Sequence, residues 1–109
     1  IDLGARLGKF NSGDIIREYV PAGTIAAKFP DDFDYNLDVT VKSFTIKVGS
    51  RAAIPIKSNR IKDSRVIRSY LENASRGDII FIYNIDAQVR TKNQTIDNVK
   101  VTDFALTIK

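Results

Sequence analysis

Acidic side chains gather at one predicted turn, where their oxygens could bind a hard cation. The cluster contains Asp31, Asp32, Asp34 and Asp38. Calcium takes about six to eight oxygen ligands, and an EF-hand loop adds a central glycine and a distal Glu. The stretch Asp31-Asp32-Phe33-Asp34 has neither addition. We therefore predict a turn with solvated acids and no structural metal site.

The composition removes the commonest catalytic groups. The chain of 109 residues contains no Cys and no His, which excludes disulfides, thiol chemistry and imidazole acid–base catalysis. A hydrolase would have to bring two acids together from Asp31, Asp34, Asp86 and Asp103, and bury at least one of them. No Gly-rich phosphate loop is present in the sequence. We predict a non-catalytic protein without a cofactor, with a small carboxylate hydrolase as a rival.

Basic residues surround one predicted helix, namely Arg51, Lys57, Arg60, Lys62, Arg65, Arg68 and Arg76. Arg65 and Arg68 fall on the helix face opposite its apolar residues. Nucleic-acid modules usually add exposed aromatic side chains to such charges, but the helix's one aromatic residue, Tyr70, belongs to the apolar stripe. The net charge of +4 is also spread along the chain. We expect a solvated face, suited to an acidic protein surface rather than to nucleic acid.

The helix that carries these arginines is predicted over residues 63–74. Its apolar stripe is Val66, Ile67, Tyr70, Leu71 and Ala74, which recur at helical spacing. Asp63 is predicted as the N-cap and Gly77 follows the end.

Strands are predicted over residues 24–29, 37–48, 52–57, 78–89 and 99–108. The strand 37–48 changes its period-2 phase near Lys42-Ser43, which predicts a β-bulge or a crossover there. The last strand changes phase near Thr102-Asp103, and Pro55 places its own strand at a sheet edge. The start of the strand 78–89 is apolar on both faces, so we expect Phe81 and Ile85 to be buried against Leu71.

The domain organisation follows from these elements. Residues 1–22 are predicted as a linker or first strand with a short helical turn, and residues 23–109 as a single β-rich binding domain. The fold class is α+β and mainly β: an antiparallel β-sandwich with one covering helix. Because the chain begins at Ile1 without Met, we expect a processed boundary there.

Two stretches resemble a known family. They are GTIAAKFPDDFDYNLDVTVKSFTIKV (23–48) and RGDIIFIYNIDAQV (76–89), the latter followed by a last strand ending at Ile108-Lys109. Together they are similar to the C-terminal domain of the gliding-motility protein GldM and its relative PorM. One departure lies in the last hairpin, where the family usually has Asp-Gly and this chain has Thr91-Lys92-Asn93-Gln94. A longer polar loop is expected, and loops often determine partner specificity.

The resemblance implies a periplasmic part of the gliding and type IX secretion machinery of Bacteroidetes. Family members are anchored in the inner membrane, form dimers in their full-length state and contact an outer-membrane lipoprotein ring. We therefore expect a periplasmic protein-binding module whose partners are envelope proteins such as ring lipoproteins, with no nucleic acid. A cell-surface adhesion or carbohydrate-binding module is the alternative. The candidate binding residues are Tyr35, Arg65, Arg68, Lys92 and Asn93.

Overall fold

Eight strands and one α-helix make up the part of the chain that the computed structural model describes, residues 4–8, 10–28 and 38–109. The strands are Gly4–Leu7 (β1), Asp14–Ile15 (β2), Ile25–Lys28 (β3), Asp38–Val48 (β4), Ile54–Ile56 (β5), Ile79–Arg90 (β6), Thr95–Val101 (β7) and Phe104–Ile108 (β8). The helix is Arg65–Glu72 (α1), and short 3-10 turns lie at Arg17–Tyr19 and Ile61–Asp63. The fold is mainly β with one helix, as predicted.

The strands form two sheets of unequal size. The larger has six strands in the order β2-β8-β6-β4-β5, with β7 also paired to β6. The smaller consists of β1 and β3, paired antiparallel. All pairs of the larger sheet are antiparallel except β2 with β8. The edge position of β5 confirms the prediction from Pro55, whose missing N–H cannot serve a further strand.

A bulge in β4 changes which residues face the core. Val41 is buried, and the next buried residue is Phe44 rather than residue 43. The pairing of β4 with β6 shifts register on both sides of Ser43. This confirms the phase change predicted near Lys42-Ser43, and the bulge explains it because an extra residue reverses the alternation.

The neighbouring strands change phase at the same level. Asn84 has a φ of 50°, and the buried positions of β6 move there from Ile82 to Ile85. On the other side of β6, the chain leaves β7 and enters β8 across Thr102 and Asp103, where a phase change was predicted. The phase changes in β4, in β6 and between β7 and β8 thus lie side by side across the sheet. For this reason the large sheet keeps one continuous inner face.

The core lies on that inner face. Its buried sheet residues are Ile15, Val41, Phe44, Ile46, Val48, Ile56, Ile80, Ile82, Ile85, Ala87, Val89, Val101, Phe104, Leu106 and Ile108. They form one cluster with Ile67, Leu71 and Ala74 around the helix, with Val20 and Ile61, and with Ala5, Leu7 and Ile25 of the small sheet. The helix and the small sheet thus bury the inner face of the large sheet.

Three local predictions are wrong. Phe81 is 39% exposed, because β6 alternates from its first residue, although Ile85 is buried as expected. The N-cap of α1 is Ser64 and not Asp63, since the 3-10 turn at residues 61–63 delays the helix by one residue. Val66, which was predicted in the apolar stripe, is 46% exposed, while Ile67 and Leu71 are buried.

Candidate functional site

The predicted binding residues fall into two separate groups. Arg65 and Arg68 are exposed on α1, whereas Lys92 and Asn93 are exposed in the hairpin that joins β6 to β7. The helix precedes the first residue of β6, and the hairpin follows its last. Since β6 has 12 residues and a strand rises about 3.3 Å per residue, the strand spans about 36 Å. The structure does not bring the two groups together, and Tyr35 lies outside the described residues.

Both ends of α1 are held by side chains. At the start, the backbone N–H of Ile67 donates to Ser64 Oγ at 3.2 Å, which satisfies one of the free donors of the first turn. At the end, Arg17 Nη1 donates to the carbonyl oxygens of Glu72 and Ala74 at 3.4 and 3.2 Å. A cation at this position also interacts favourably with the helix dipole. The helix therefore presents its outward arginines from a fixed position.

A cleft opens beside the second of these arginines. It has a volume of about 400 Å³ and is lined by Arg17, Glu18, Pro21, Arg68, Leu71 and Glu72. Arg17 is engaged by the helix carbonyls and lies 3.5 Å from Glu18 Oε1. Arg68 makes no ion pair within the described residues, so its guanidinium is available to an acidic group.

Asp63, the acid before the helix, forms an ion pair with a neighbouring arginine. Arg60 Nη2 lies 3.4 Å from Asp63 Oδ1. Hydrogen bonding with Ser58, followed by the charge of Arg60, lowers the pKa of Asp63 despite an opposing desolvation contribution. Asp63 therefore supports the turn that precedes α1 and does not cap the helix.

The hairpin at the other end of β6 is organised by Thr91. Its backbone N–H donates to the carbonyl of Gln94 at 2.8 Å. Its Oγ1 accepts from the N–H groups of Asn93 and Gln94 at 3.3 and 3.0 Å. Lys92 and Asn93 are held at the tip with their side chains exposed. The connection between β6 and β7 consists of four polar residues, Thr91 to Gln94.

Of the four acids considered for catalysis, the structure describes two, Asp86 and Asp103. Lys100 Nζ lies 2.7 Å from Asp86 Oδ1 and donates to Asn84 Oδ1 at 3.3 Å. Asp103 is exposed, while the other two acids of the rival hydrolase, Asp31 and Asp34, lie outside the described residues. Among those described, no group of three or more Asp, Glu, His or Cys is placed to hold a metal ion.

A third exposed surface was missed by the sequence reasoning. Ile79, Phe81 and Tyr83 lie on the outer side of β6, where Ile79 is 53% and Phe81 39% exposed. The ring centroids of Phe81 and Tyr83 are 5.0 Å apart. The run Ile79–Tyr83 is apolar throughout, so its own pattern could not identify an outer face. The neighbours could have done so, because Thr45 and Lys47 of β4 pair with Tyr83 and Phe81.

The described residues include no helix of the length and hydrophobicity that a membrane crossing requires. In a comparison with curated proteins, none matches the chain. The family model of the GldM C-terminal domain matches residues 4–109, which include both stretches that carry the resemblance in the sequence. The chain therefore belongs to the GldM C-terminal domain family, a family of structural components of the gliding-motility and type IX secretion machinery not known for enzymatic activity.

Proposed function

We propose that this domain is a non-catalytic, periplasmic protein-binding module that docks onto an outer-membrane lipoprotein ring. Membership of the GldM C-terminal domain family supports the assignment of this domain to the gliding-motility and type IX secretion machinery. The docking role rests on two separate exposed groups, one on α1, which packs on the core of the large sheet, and one at the β6–β7 hairpin. The domain would act by presenting these groups in fixed positions, with no chemical step.

The hairpin is the observation that carries the proposal. Thr91 makes hydrogen bonds with its backbone and its hydroxyl that fix the loop before any partner arrives. Such preorganisation lowers the entropy lost on binding. Lys92 and Asn93 are exposed at the tip, where they can donate to a partner. These contacts would determine specificity.

The arginines of α1 form the second exposed group and would attract the partner by their charge. Arg65 and Arg68 are exposed and form no ion pair with another described residue, so their guanidinium groups are free to pair with an acidic group of a partner. Exposed charges of this kind mainly speed and orient an encounter, and salt screens them. An acidic surface on the lipoprotein ring would be attracted to this end of the domain.

A carbohydrate-binding module is the second candidate, because Phe81 exposes its ring on a sheet face. Phe81 and Tyr83 are tilted by 38° with centroids 5.0 Å apart, which is the packing of an aromatic pair rather than a coplanar platform for sugar rings. This geometry favours a protein partner. Binding of soluble glycans to the isolated domain would reverse that preference.

The test is capture of ring lipoproteins from outer-membrane extracts by the immobilised domain, with the captured proteins identified by mass spectrometry. The double change Arg65→Glu and Arg68→Glu should weaken capture, most strongly at low salt, and leave the fold intact. The matched control, Arg65→Lys with Arg68→Lys, keeps the charge and should retain capture. Lys92→Ala with Asn93→Ala should reduce capture with little dependence on salt.

A gel-shift with random DNA runs beside the capture experiment. The proposal predicts weak or no retardation of the DNA. Tight, salt-sensitive DNA binding without any captured lipoprotein would contradict it and favour a nucleic-acid function.

A further inference from the structure

The outer side of the large sheet carries a contiguous apolar surface at the beginning of β6. We define the outer patch as Ile79, Phe81 and Tyr83, three successive outward positions of one strand. The strand register places Ala105 and Thr107 of β8 on one side of it and Thr45 of β4 on the other. On the β8 side the flanking side chains are thus small or short, and on the β4 side Thr45 is short while Lys47, the register partner of Phe81, is long.

This arrangement differs from the scattered apolar side chains of an ordinary surface. Ile79 is 53% and Phe81 39% exposed, and alternate positions on a strand lie on the same face. Single exposed apolar residues are normal, whereas grouped ones mark interaction sites. Val66 on α1 and Ile96 on β7 are similarly exposed, at 46% and 42%, but they lie on other elements.

The charge beside the outer patch indicates the chemistry of its partner. Lys47 pairs directly with Phe81 across the β4–β6 ladder. Its side chain is exposed and has no ion pair within the described residues. Lys109 follows the end of β8 just beyond Thr107, the register partner of Ile79. On the far side of β8, Asp14 pairs with Thr107, so charges of both signs lie on the β8 side, whereas Lys47 makes the β4 side of the patch positive.

We propose that the outer patch docks an amphipathic helix of a partner protein, with acidic residues along the flank that faces Lys47. The inner face of the same sheet already packs against a helix, α1, and a helix is the usual cover for an apolar sheet face. From Ile79 to Tyr83 the strand rises about 13 Å, which about nine helical residues would cover. This surface is separate from Arg65, Arg68 and the hairpin, and the inference does not depend on the proposed function.

The experiment titrates the isotope-labelled domain with designed helical peptides and follows the backbone amide NMR signals. One peptide has a leucine stripe flanked by Glu, and a second has Lys at the same flanking positions. The Glu-flanked peptide should shift the signals of Thr45, Lys47, Ile79, Phe81 and Tyr83. It should bind at least about tenfold more tightly than the Lys-flanked peptide, and Phe81→Ser should abolish most of the binding.

Reversing the charge of Lys47 tests most directly whether this residue determines which peptide binds. Lys47→Glu should weaken binding of the Glu-flanked peptide and strengthen binding of the Lys-flanked one. The control Val66→Ser removes a side chain of similar exposure from α1 and should leave both affinities unchanged. Amide spectra of each variant without peptide check that the fold is intact.

Three kinds of result would overturn the inference. The first is equal binding of both peptides, or binding of neither. The second is a footprint away from the outer patch, or binding to vesicles of phosphatidylglycerol in place of the peptide. The third is a dimer of the domain in sedimentation measurements that Phe81→Ser dissociates, because a second copy would then be the occupant of this face.

Discussion

The first half of β6 has two faces of nearly equal hydrophobicity, and only one of them is buried. Ile80 and Ile82 point to the inner face and are 0% exposed, whereas Ile79 and Phe81 point outward and are 53% and 39% exposed. The side chains are of similar type, so composition does not separate the faces. The difference comes from what lies above each face: α1 and the small sheet cover the inner one.

The inner and outer residues of β6 therefore have different roles, the inner ones in stability and the outer ones in recognition. The inner residues lose contact with water on folding and so contribute to the free energy of unfolding. The outer residues retain much of their exposure, so they can be changed at less cost to the fold and remain available to a partner.

The largest effect is expected on the inner face. Ile82→Ala should lower the free energy of unfolding by about 2–5 kcal/mol, through lost transfer energy and the cavity left behind. Phe81→Ala is the neighbouring control and should cost less than about 1.5 kcal/mol, because its ring is already partly in water. Urea denaturation of both variants measures the difference. Equal losses would show that the two faces are buried alike.

A smaller effect is expected at the helix that covers the inner face. Ser64→Ala removes the acceptor for the N–H of Ile67 and should cost about 1 kcal/mol of unfolding free energy. The control Ser69→Ala replaces an exposed serine within the same helix, where alanine is the better helix former, so stability should not fall. If the two variants lose the same amount, the assignment of the cap to Ser64 is wrong.

The smallest effect concerns the exposed turn before the helix. Ser58→Ala should raise the pKa of Asp63 towards its ordinary value, because the hydrogen bond with Ser58 is the largest cause of its lowered pKa. A lowered pKa stabilises the fold above the ordinary Asp pKa of about 3.9, and this contribution is lost as the pH falls through the folded-state value. The variant should therefore lose less stability on acidification in that window. A carboxyl carbon NMR titration measures the pKa, and an unchanged value in Ser58→Ala would exclude the role of the serine.

Local signals in the sequence predicted much of the fold. The reversal of alternation at Lys42-Ser43 is a property of one strand, and so is the effect of Pro55 on edge position, so both were visible without knowledge of strand pairing. The helix was predicted from its apolar spacing, but its start was assigned one residue early. Asp63 and Ser64 are both good capping residues, and the preceding 3-10 turn, which selects Ser64, leaves no clear pattern in the sequence.

The exposure of Phe81 could not be predicted in the same way. A run that is apolar at every position has no period, so either face of the strand could have been buried. The polar positions that identify the outer face, Thr45 and Lys47, belong to another strand and become informative only once its register with β6 is known. The exposed hairpin at Lys92 and Asn93 was predictable from its polar residues, whereas the roles of Arg65 and Arg68 stay predictions.

The most direct test that β6 has one buried and one exposed face uses the absence of cysteine from the chain. A single Cys introduced at either position 81 or position 82 is labelled with maleimide in the folded domain. The structure predicts fast labelling of Phe81→Cys and protection of Ile82→Cys until denaturant unfolds the protein. Protection of both positions, or fast labelling of both, would contradict the assignment of one buried and one exposed face to β6.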